Sequence, residues 1–243
     1  MSGRVLITGA TSGIGRQLAL DYRRSGWQVW GCGRDGERLQ ALADEGIIPL
    51  QFDGRDSAAM AVIAADLPAL DLLILNAGNC EYMDLVEGFD GALFARVIET
   101  NLIATGHALA AFLPRLVSGS RLAIVGSSVS WLPLPRAEAY GASKAALYLA
   151  ATLRLDLAAL GIGVTLIRPG FVQTPLTAKN DFPMPCLVTV EEASRAIMSG
   201  LAAGRHQIHF PRRFIWLLRL LGALPTGLWL RLGRTLISKG SPS

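Results

Sequence analysis

Residues 8–15 read Thr8-Gly9-Ala10-Thr11-Ser12-Gly13-Ile14-Gly15, and they follow a short apolar run, Val5-Leu6-Ile7. Glycines at these positions let the backbone turn tightly and approach a ligand closely. A helix after the turn directs its first N–H groups and the positive end of its dipole towards an anion. Between a first strand and a first helix, the turn therefore predicts a dinucleotide pyrophosphate site. The candidate ligands are Gly9, Thr11, Ser12, Gly13, Ile14 and Gly15.

Short apolar runs recur along the chain between segments with helical spacing. Such runs are typical of strands covered on both faces, and strands alternating with helices predict parallel pairing through right-handed crossovers. We therefore predict an α/β fold, a doubly wound parallel sheet of the Rossmann type with about seven strands and helices on both faces. The predicted strands are Arg4–Ile7, Gln28–Gly31, Ile48–Phe52, Asp71–Leu75, Arg121–Val125, Val164–Ile167 and Gln207–Phe210.

The composition indicates a well-buried interior, because 51% of the 243 residues are hydrophobic and only 17% are charged. The first apolar run already has the pattern of a strand, so no signal peptide is predicted. The three cysteines form no C-x-x-C pair, which argues against a disulfide framework and favours a cytoplasmic location. No cysteine or carboxylate cluster accompanies the three histidines, so no metal site is expected.

The end of the second predicted strand bears on the choice of nucleotide. Folds that prefer NAD usually carry an acidic side chain there, which binds the ribose 2′-hydroxyl. In this chain Gly33 is followed by Arg34, and a guanidinium can bind a 2′-phosphate with two hydrogen bonds. We therefore predict NADP(H) in preference to NAD(H). The alternative is that Arg34 only begins the next helix beside Asp35.

Other strand ends are expected to line the same crevice, because ligands of open α/β sheets bind beyond the carboxyl ends of the strands. Asp53 closes the third strand, where its carboxylate can accept from the adenine amino group. Asn76-Ala77-Gly78 closes the fourth strand. An irregular, proline-rich segment at 175–188 follows a later strand, and it is predicted to be a substrate lid, with an ordinary surface loop as the alternative.

Tyr140 and Lys144 are four residues apart in a helical context, a spacing that puts both side chains on one face. A nearby ammonium lowers the pKa of a phenol towards the working pH. The tyrosine can then give a proton to a carbonyl oxygen or take one from an alcohol, and the lysine can bond ribose hydroxyls. Taken alone, a solvated helix face is the alternative, since chance supplies such pairs often.

Together, these motifs resemble the short-chain dehydrogenases/reductases in their order and approximate spacing, over residues 4–210. The matching elements are Thr8–Gly15, Asn76-Ala77-Gly78, Asn101, Gly126-Ser127, Tyr140–Lys144 and Pro169-Gly170. The resemblance implies an NADP(H)-dependent oxidoreductase that interconverts a carbonyl and a secondary alcohol. Family members commonly form dimers or tetramers through their long helices, so a homo-oligomer is also expected.

The resemblance implies a role for each matched residue. Tyr140 would be the acid/base and Lys144 its electrostatic partner and ribose ligand, while Asn101 would hold a water of a proton relay to Lys144. The residues expected along the nicotinamide end are Pro169, Gly170 and Thr174, the last near the carboxamide or the pyrophosphate. The chain departs from the family at Ser12, where NADP-dependent members often have a basic residue. The NADP prediction therefore depends mainly on Arg34.

A serine at the end of the fifth strand would orient the substrate oxygen and stabilise its developing charge. Two adjacent residues are candidates. In the family the serine usually lies thirteen positions before the tyrosine, which favours Ser127, whereas Ser128 fits only if one residue is deleted in the turn Ser130–Pro135. Adjacent residues of a strand point to opposite faces, so only one of the two can reach the substrate.

Residues 211–243 are predicted to be a basic, apolar extension of a catalytic domain that spans residues 1–210. After Glu192 the sequence has eight cations and no acidic residue. The longest uncharged stretch, Leu220–Leu230, is too short for a bilayer, which needs about 20 apolar residues. Its basic, amphipathic, tryptophan-bearing character suits an anionic membrane surface. The alternative is a helix that packs over the substrate pocket or a subunit interface.

Both interpretations of the extension predict a lipophilic substrate, because Phe182, Met184 and the extension are expected near the mouth of the site. Nucleic acid is not an expected partner, since the positive charge belongs to a hydrophobic segment. A catalytically silent nucleotide-binding sensor or scaffold is the alternative function, although a sensor does not need the Ser/Tyr/Lys/Asn set. A sugar-nucleotide epimerase or dehydratase would need a further substrate domain, for which the chain is too short.

Overall fold

The computed structural model of the protein describes residues 2–84, 88–225 and 227–232. These residues form a seven-stranded parallel sheet with the order β3-β2-β1-β4-β5-β6-β7. The strands are β1 (Arg4–Thr8), β2 (Gln28–Gly33), β3 (Ile48–Gln51), β4 (Leu70–Leu75), β5 (Leu116–Val125), β6 (Gly163–Pro169) and β7 (Gln207–Phe210). The predicted doubly wound α/β fold is confirmed, and the chain order reverses between β1 and β4.

Helices connect successive strands. Three of them begin at an aspartate whose carboxylate accepts a hydrogen bond from the backbone N–H three residues later, namely Asp35, Asp56 and Asp90; such caps satisfy N–H groups that the helix leaves free. The helices are α1 (Gly13–Arg24), α2 (Gly36–Ala43), α3 (Ser57–Ala65), α4 (Gly91–Ile98), α5 (Ala104–Phe112), α6 (Glu138–Ala145), α7 (Leu149–Ala158), α8 (Val190–Ala202) and α9 (Arg212–Gly222).

The two faces of the sheet bury separate apolar clusters, because successive side chains of a strand point in opposite directions. In β1, Val5 and Ile7 join a cluster with residues of α1, α2 and α8. Leu6 points the other way, into a cluster with residues of α3, α5 and α7. Both clusters exclude water from the strands, which explains why the central strands are almost wholly apolar.

Helix α9 forms a third apolar cluster beside the end of the sheet. Phe214, Ile215 and Leu218 pack with Leu132, and Trp229 joins them. The Trp229 Nε1 donates to the carbonyl oxygen of Pro133 at 3.1 Å. In the part of the chain that the structure describes, no helix combines the length and apolar character needed to cross a membrane. Arg234 and Lys239, two of the eight cations that follow Glu192, lie outside the described residues.

Candidate active site

A cavity of about 930 Å³ opens at the carboxyl ends of the strands, at the reversal between β1 and β4. Crevices of this kind are where open α/β sheets bind ligands. The structure brings together nearly all of the predicted site residues, since all but two line this cavity. The lining members are Gly9, Thr11, Ser12, Gly13, Ile14, Arg34, Asp53, Asn76, Ala77, Gly78, Ser127, Tyr140, Lys144, Pro169, Gly170 and Thr174.

Gly15 is one of the two that do not line it, and its role is in the shape of the glycine turn. Gly9 and Gly13 have φ values of +65° and +52°, in the left-handed region that favours glycine. A Cβ on Gly15 would overlap the carbonyl oxygen of Gly9 and the Nδ2 of Asn76. Asn76 Nδ2 itself donates to the oxygens of Thr8 and Gly9, both at 3.2 Å. The fourth strand end therefore holds the turn in place.

Thr174 lies beside the same turn. A Cβ on Gly13 would be 3.1 Å from Thr174 Cγ2, so the threonine faces the glycine turn, where the sequence predicts the pyrophosphate. Ser12 precedes α1, and its hydroxyl makes no capping hydrogen bond with that helix. The first N–H groups of α1 and the Ser12 hydroxyl lie at one end of the turn, beside the Thr174 side chain, which is a suitable environment for an anion.

The second strand end is rich in arginine. Arg34 lines the cavity with a side chain that is 70% exposed, and its Nη1 is 3.9 Å from Asp53 Oδ2. Arg38 and Arg55 line the cavity as well, and sequence reasoning missed both. Arg55 donates to Asp53 through Nε at 3.0 Å and Nη2 at 2.7 Å. These bonds lower the pKa of Asp53 to about 2, so its carboxylate is ionised and already paired.

At the other end of the cavity, Tyr140 and Lys144 lie one turn apart on α6, and Ser127 lies at the end of β5. Ser127 is hydrogen-bonded to Tyr140, and its hydroxyl accepts from the N–H of Val129 at 3.2 Å. Ser128 is buried and does not belong to the cavity lining. Of the two adjacent serines, Ser127 is therefore the one that faces the tyrosine.

The prediction that the pKa of Tyr140 is lowered is wrong. Burial raises the pKa of Tyr140 to about 12, with a smaller contribution from Cys80 and an opposing one from the Ser127 hydrogen bond. Burial also lowers the pKa of Lys144 to about 8. The Lys144 Nζ lies 5.9 Å from the centroid of the tyrosine ring and donates to the Val125 oxygen at 3.2 Å. Desolvation therefore shifts the pKa of each side chain towards its neutral form, although Lys144 remains mostly protonated at pH 7.

Asn101, the second predicted residue outside the lining, lies behind Lys144 in a π-helical turn, Glu99–Ile103, between α4 and α5. It is 2% exposed. Its Oδ1 accepts from the N–H of Asn79 at 2.8 Å, and its Nδ2 donates to Ser143 Oγ at 2.9 Å. A Cβ on Gly78 would lie 3.0 Å from Asn101 Oδ1 and 3.2 Å from Lys144 Nζ. Glycine at 78 therefore leaves room between the amide and the ammonium.

Residues 175–177 of segment 175–188 line the cavity, and the rest of the segment makes contacts that sequence reasoning missed. Its Phe182 meets Tyr82 edge to face, with ring centroids 5.3 Å apart, and Phe171 at 6.1 Å. The Asp181 Oδ2 pairs with Arg136 Nη1 at 2.9 Å. Tyr82 and Cys80 both interact electrostatically with the groups of the site. Phe182 therefore packs with two aromatic side chains, Tyr82 and Phe171, and Tyr82 is an electrostatic neighbour of Tyr140.

The possible metal ligands of the chain are its His, Cys, Asp and Glu side chains. Within residues 2–84, 88–225 and 227–232, no three His, Cys, Asp or Glu side chains are grouped so that they could hold a metal ion. The cavity lining contains a phenol, a hydroxyl and an amine, those of Tyr140, Ser127 and Lys144. Such a set can donate to, or accept from, an oxygen of a bound molecule.

Comparisons with known proteins agree with this geometry. The family model described as short chain dehydrogenase matches residues 4–183. An uncharacterized oxidoreductase of Myxococcus xanthus is 35% identical over 244 residues, which cover 92% of this chain and 93% of that protein. A sulfoacetaldehyde reductase of Chromohalobacter salexigens is 35% identical over 190 residues, which cover 73% and 75%.

A solved structure gives the same result for the fold. The short chain dehydrogenase of Burkholderia cenocepacia, in complex with NADP, superimposes with a TM-score of 0.84 at 26% sequence identity. The match covers 95% of this chain and 97% of the other. The resemblance found in the sequence is thereby confirmed. The chain belongs to the short-chain dehydrogenases, and it is an NAD(P)-dependent oxidoreductase.

Proposed function

We propose that the protein interconverts a carbonyl compound and a secondary alcohol with NADP(H), and that Tyr140 is the acid/base. The observation that carries the proposal is the position of Ser127, Tyr140 and Lys144 at one end of a cavity whose other part is the glycine turn. A dinucleotide in the cavity would extend from the turn towards these side chains. The residues present therefore fit such a group.

NADPH, when bound, supplies a hydride to the carbonyl carbon. The phenol of Tyr140 is protonated at neutral pH, because its pKa is raised to about 12, so it gives its proton to the carbonyl oxygen and the product is an alcohol. Ser127 donates a hydrogen bond to the same oxygen as negative charge develops there. In the oxidation direction the proton moves from the alcohol to the tyrosine oxygen.

Lys144 and Asn101 support the tyrosine. With the nucleotide bound, the Lys144 ammonium would hold the nicotinamide ribose hydroxyls, and from that position it would stabilise the phenolate that remains after proton transfer. A water held by Asn101 returns a proton through Lys144. The space beside Gly78, which both side chains face, is consistent with this relay. Pro169 and Gly170 form the wall along the nicotinamide end.

NADP(H) is proposed over NAD(H) because the end of β2 is cationic. Arg34 and Arg38 line the cavity there. NAD-preferring folds carry an acidic residue at this strand end, which binds the ribose 2′-hydroxyl, whereas this chain has arginine. Arg34 would hold the 2′-phosphate, and Asp53, which is paired with Arg55, would face the adenine. The Burkholderia cenocepacia relative was solved with NADP, which agrees with this preference.

The substrate is proposed to be lipophilic. Its support is an aromatic cluster in which Tyr82, an electrostatic neighbour of Tyr140, meets Phe182 and in which Phe171 lies 5.5 Å from Phe214 of α9. In this proposal segment 175–188 is the substrate lid, and residues 211–243 form a functional extension that contacts both the substrate region and a membrane surface. The protein is also proposed to be a homo-oligomer, because Leu155 of α7 and Tyr148, the residue just before that helix, are exposed.

The test is NADPH oxidation by the full chain with a carbonyl panel that runs from sulfoacetaldehyde and small ketones to long-chain and polycyclic ketones. Turnover of the large apolar compounds, with faster rates for NADPH than for NADH, is expected. Faster turnover of the small polar compounds would refute the lipophilic substrate alone. Tight NADPH binding without turnover of any carbonyl or alcohol would favour the silent nucleotide sensor.

A further inference from the structure

Helix α9 has two apolar faces, and the described residues cover only one of them. Phe214, Ile215 and Leu218 are buried in the third cluster. On the opposite side, Trp216 is 67% and Leu220 is 68% exposed, with Leu217 between them at 50%. A surface helix normally presents polar side chains on its outer face. A contiguous exposed apolar patch of this kind marks an interaction site.

A group of arginines lies next to this outer face. The Arg219 guanidinium carbon is 5.4 Å from the centroid of Trp216 and 5.8 Å from that of Trp131. The Arg168 guanidinium carbon lies 4.9 Å from the Trp131 centroid, and its hydrogen bonds go to Ser130 and to Gln207, which are both neutral. Arg212 and Arg213 begin the helix.

This group has no carboxylate among its close neighbours. Among the described residues, the ion pairs within 4.0 Å involve other cations, all of them outside α9. The pKa of His209 is lowered by burial and then by Arg219, Arg168, Arg212 and Arg205. His209 Nδ1 is buried and has no hydrogen-bond partner among the described residues. The local potential is therefore positive and uncompensated.

We propose that the outer face of α9 binds the surface of a bilayer that contains acidic phospholipid. Trp216, Leu217 and Leu220 enter the boundary between headgroups and acyl chains, and Arg168, Arg212, Arg213 and Arg219 bind the lipid phosphates. Interfacial helices combine an apolar face with cations in this way. The inference rests on the membrane role proposed for residues 211–243, and it adds Arg168 and Trp131, which lie outside that extension.

Charge argues for lipid and against a second copy of the chain. A two-fold contact places the same patch on both partners, so it would set these arginines against their equivalents, and like charges across an interface are unfavourable. From residue 193 onward the sequence has eight cations and no acidic residue, which suits a surface of uniform negative charge.

The position of α9 also gives the binding a consequence for substrate access. A Cβ on Gly170, in the wall of the cavity, would lie 2.9 Å from Phe214 Cδ1 on the inner face of α9. In this proposal one side of the helix packs against a residue of the cavity wall, and the other side faces the bilayer. A lipophilic substrate would then enter the cavity from the membrane side of α9.

The test uses sedimentation of the full chain with vesicles of phosphatidylcholine alone and of an equimolar mixture with phosphatidylglycerol. The protein should bind the mixed vesicles at least tenfold more tightly, and added salt should weaken this binding. Each arginine near an anionic surface contributes about 1 kcal/mol, so Arg212→Ala with Arg213→Ala should weaken binding roughly 30-fold. Trp216→Ser with Leu220→Ser should weaken binding to the mixed vesicles by a comparable factor.

The matched controls are Arg24→Ala and Val62→Ser, which remove an exposed cation and an exposed apolar side chain far from α9; both should bind like the unchanged protein. NADPH affinity and circular dichroism verify that each variant is folded. Equal sedimentation of the unchanged protein with both vesicle types, or of the α9 variants and the controls, would overturn the inference. The inference would also be overturned if Trp216→Ser with Leu220→Ser converted a dimer into a monomer and left vesicle binding unchanged. Carbonyl turnover, measured separately without vesicles, tells whether the oxidoreductase proposal fails on its own.

Discussion

Lys144 Nζ lies 5.9 Å from the centroid of the Tyr140 ring, although the two residues occupy successive turns of one face of α6. The ammonium donates instead to the Val125 oxygen at 3.2 Å. In the protein without cofactor, burial moves the pKa of each side chain towards the neutral form. The site therefore holds a protonated phenol, which is the form that carbonyl reduction needs.

The lowered pKa of Lys144 predicts a pH-dependent stability of the nucleotide-free protein. Between pH 8 and 10.5 the folded lysine is neutral while the unfolded one is still protonated, so the unfolded state binds more protons and stability rises with pH. The slope is at most about 1.4 kcal/mol per pH unit. Urea denaturation at pH 7.5, 8.5 and 9.5 should show this rise relative to Lys144→Met. Parallel curves for the two proteins would contradict it.

Gly15→Ala should disrupt the glycine turn, because the added Cβ overlaps the Gly9 oxygen and Asn76 Nδ2. We expect a loss of about 2 kcal/mol or more in the free energy of unfolding, as for other overpacked sites, together with lost NADPH binding. The matched control is Gly106→Ala in α5, where an added Cβ meets nothing within 4 Å. This substitution should stabilise the helix by about 0.5–1 kcal/mol. Equal effects of the two substitutions in thermal or urea denaturation would show that the turn tolerates a side chain.

Ser127→Ala should lower kcat by roughly 100-fold, the usual effect of removing a hydrogen-bond donor to a developing oxyanion. It should also raise the pKa of Tyr140, since the hydrogen bond from Ser127 lowers it. NADPH affinity should stay the same. Ser128→Ala serves as the control, because Ser128 is buried outside the cavity lining. A larger kinetic effect at Ser128 than at Ser127 would reverse the assignment.

Arg34→Asp should shift the preference from NADP towards NAD. The substitution removes a charge-assisted hydrogen bond of about 1.5–3 kcal/mol and adds a carboxylate that repels the 2′-phosphate, so NADP affinity should fall by roughly tenfold to a hundredfold. Fluorescence titration with both nucleotides measures the change, and Arg24→Asp is a surface control. Unchanged NADP affinity would remove Arg34 from the site.

Local pattern was enough to predict the strands and most of the cavity. The runs Val5-Leu6-Ile7 and Leu72–Leu75 are apolar because both faces are covered, and each ends in residues that line the crevice. β5 begins at Leu116, five residues before its predicted start at Arg121. Its first half contains two serines and a glycine, and Ser120 Oγ donates to the Leu70 oxygen there, a side-chain contact that periodicity does not report.

Contacts between distant parts of the chain could not be predicted in this way. Phe182 meets Tyr82 across a hundred residues, and Asp181 pairs with Arg136; neither pairing has a local signal. Arg55 could have been found, because it comes two residues after Asp53, where a turn brings the two side chains together. The direction of the Tyr140 pKa shift depends on burial, which residue spacing alone does not reveal.

The central claim is that Tyr140 transfers the proton, and Tyr140→Phe tests it most directly. Turnover of the best carbonyl substrate from the panel and NADPH affinity are measured for this variant and the unchanged protein. We expect turnover to fall to background while the dissociation constant for NADPH stays within about twofold, because the phenylalanine keeps the ring and removes only the hydroxyl. Turnover that survives in Tyr140→Phe would contradict the account.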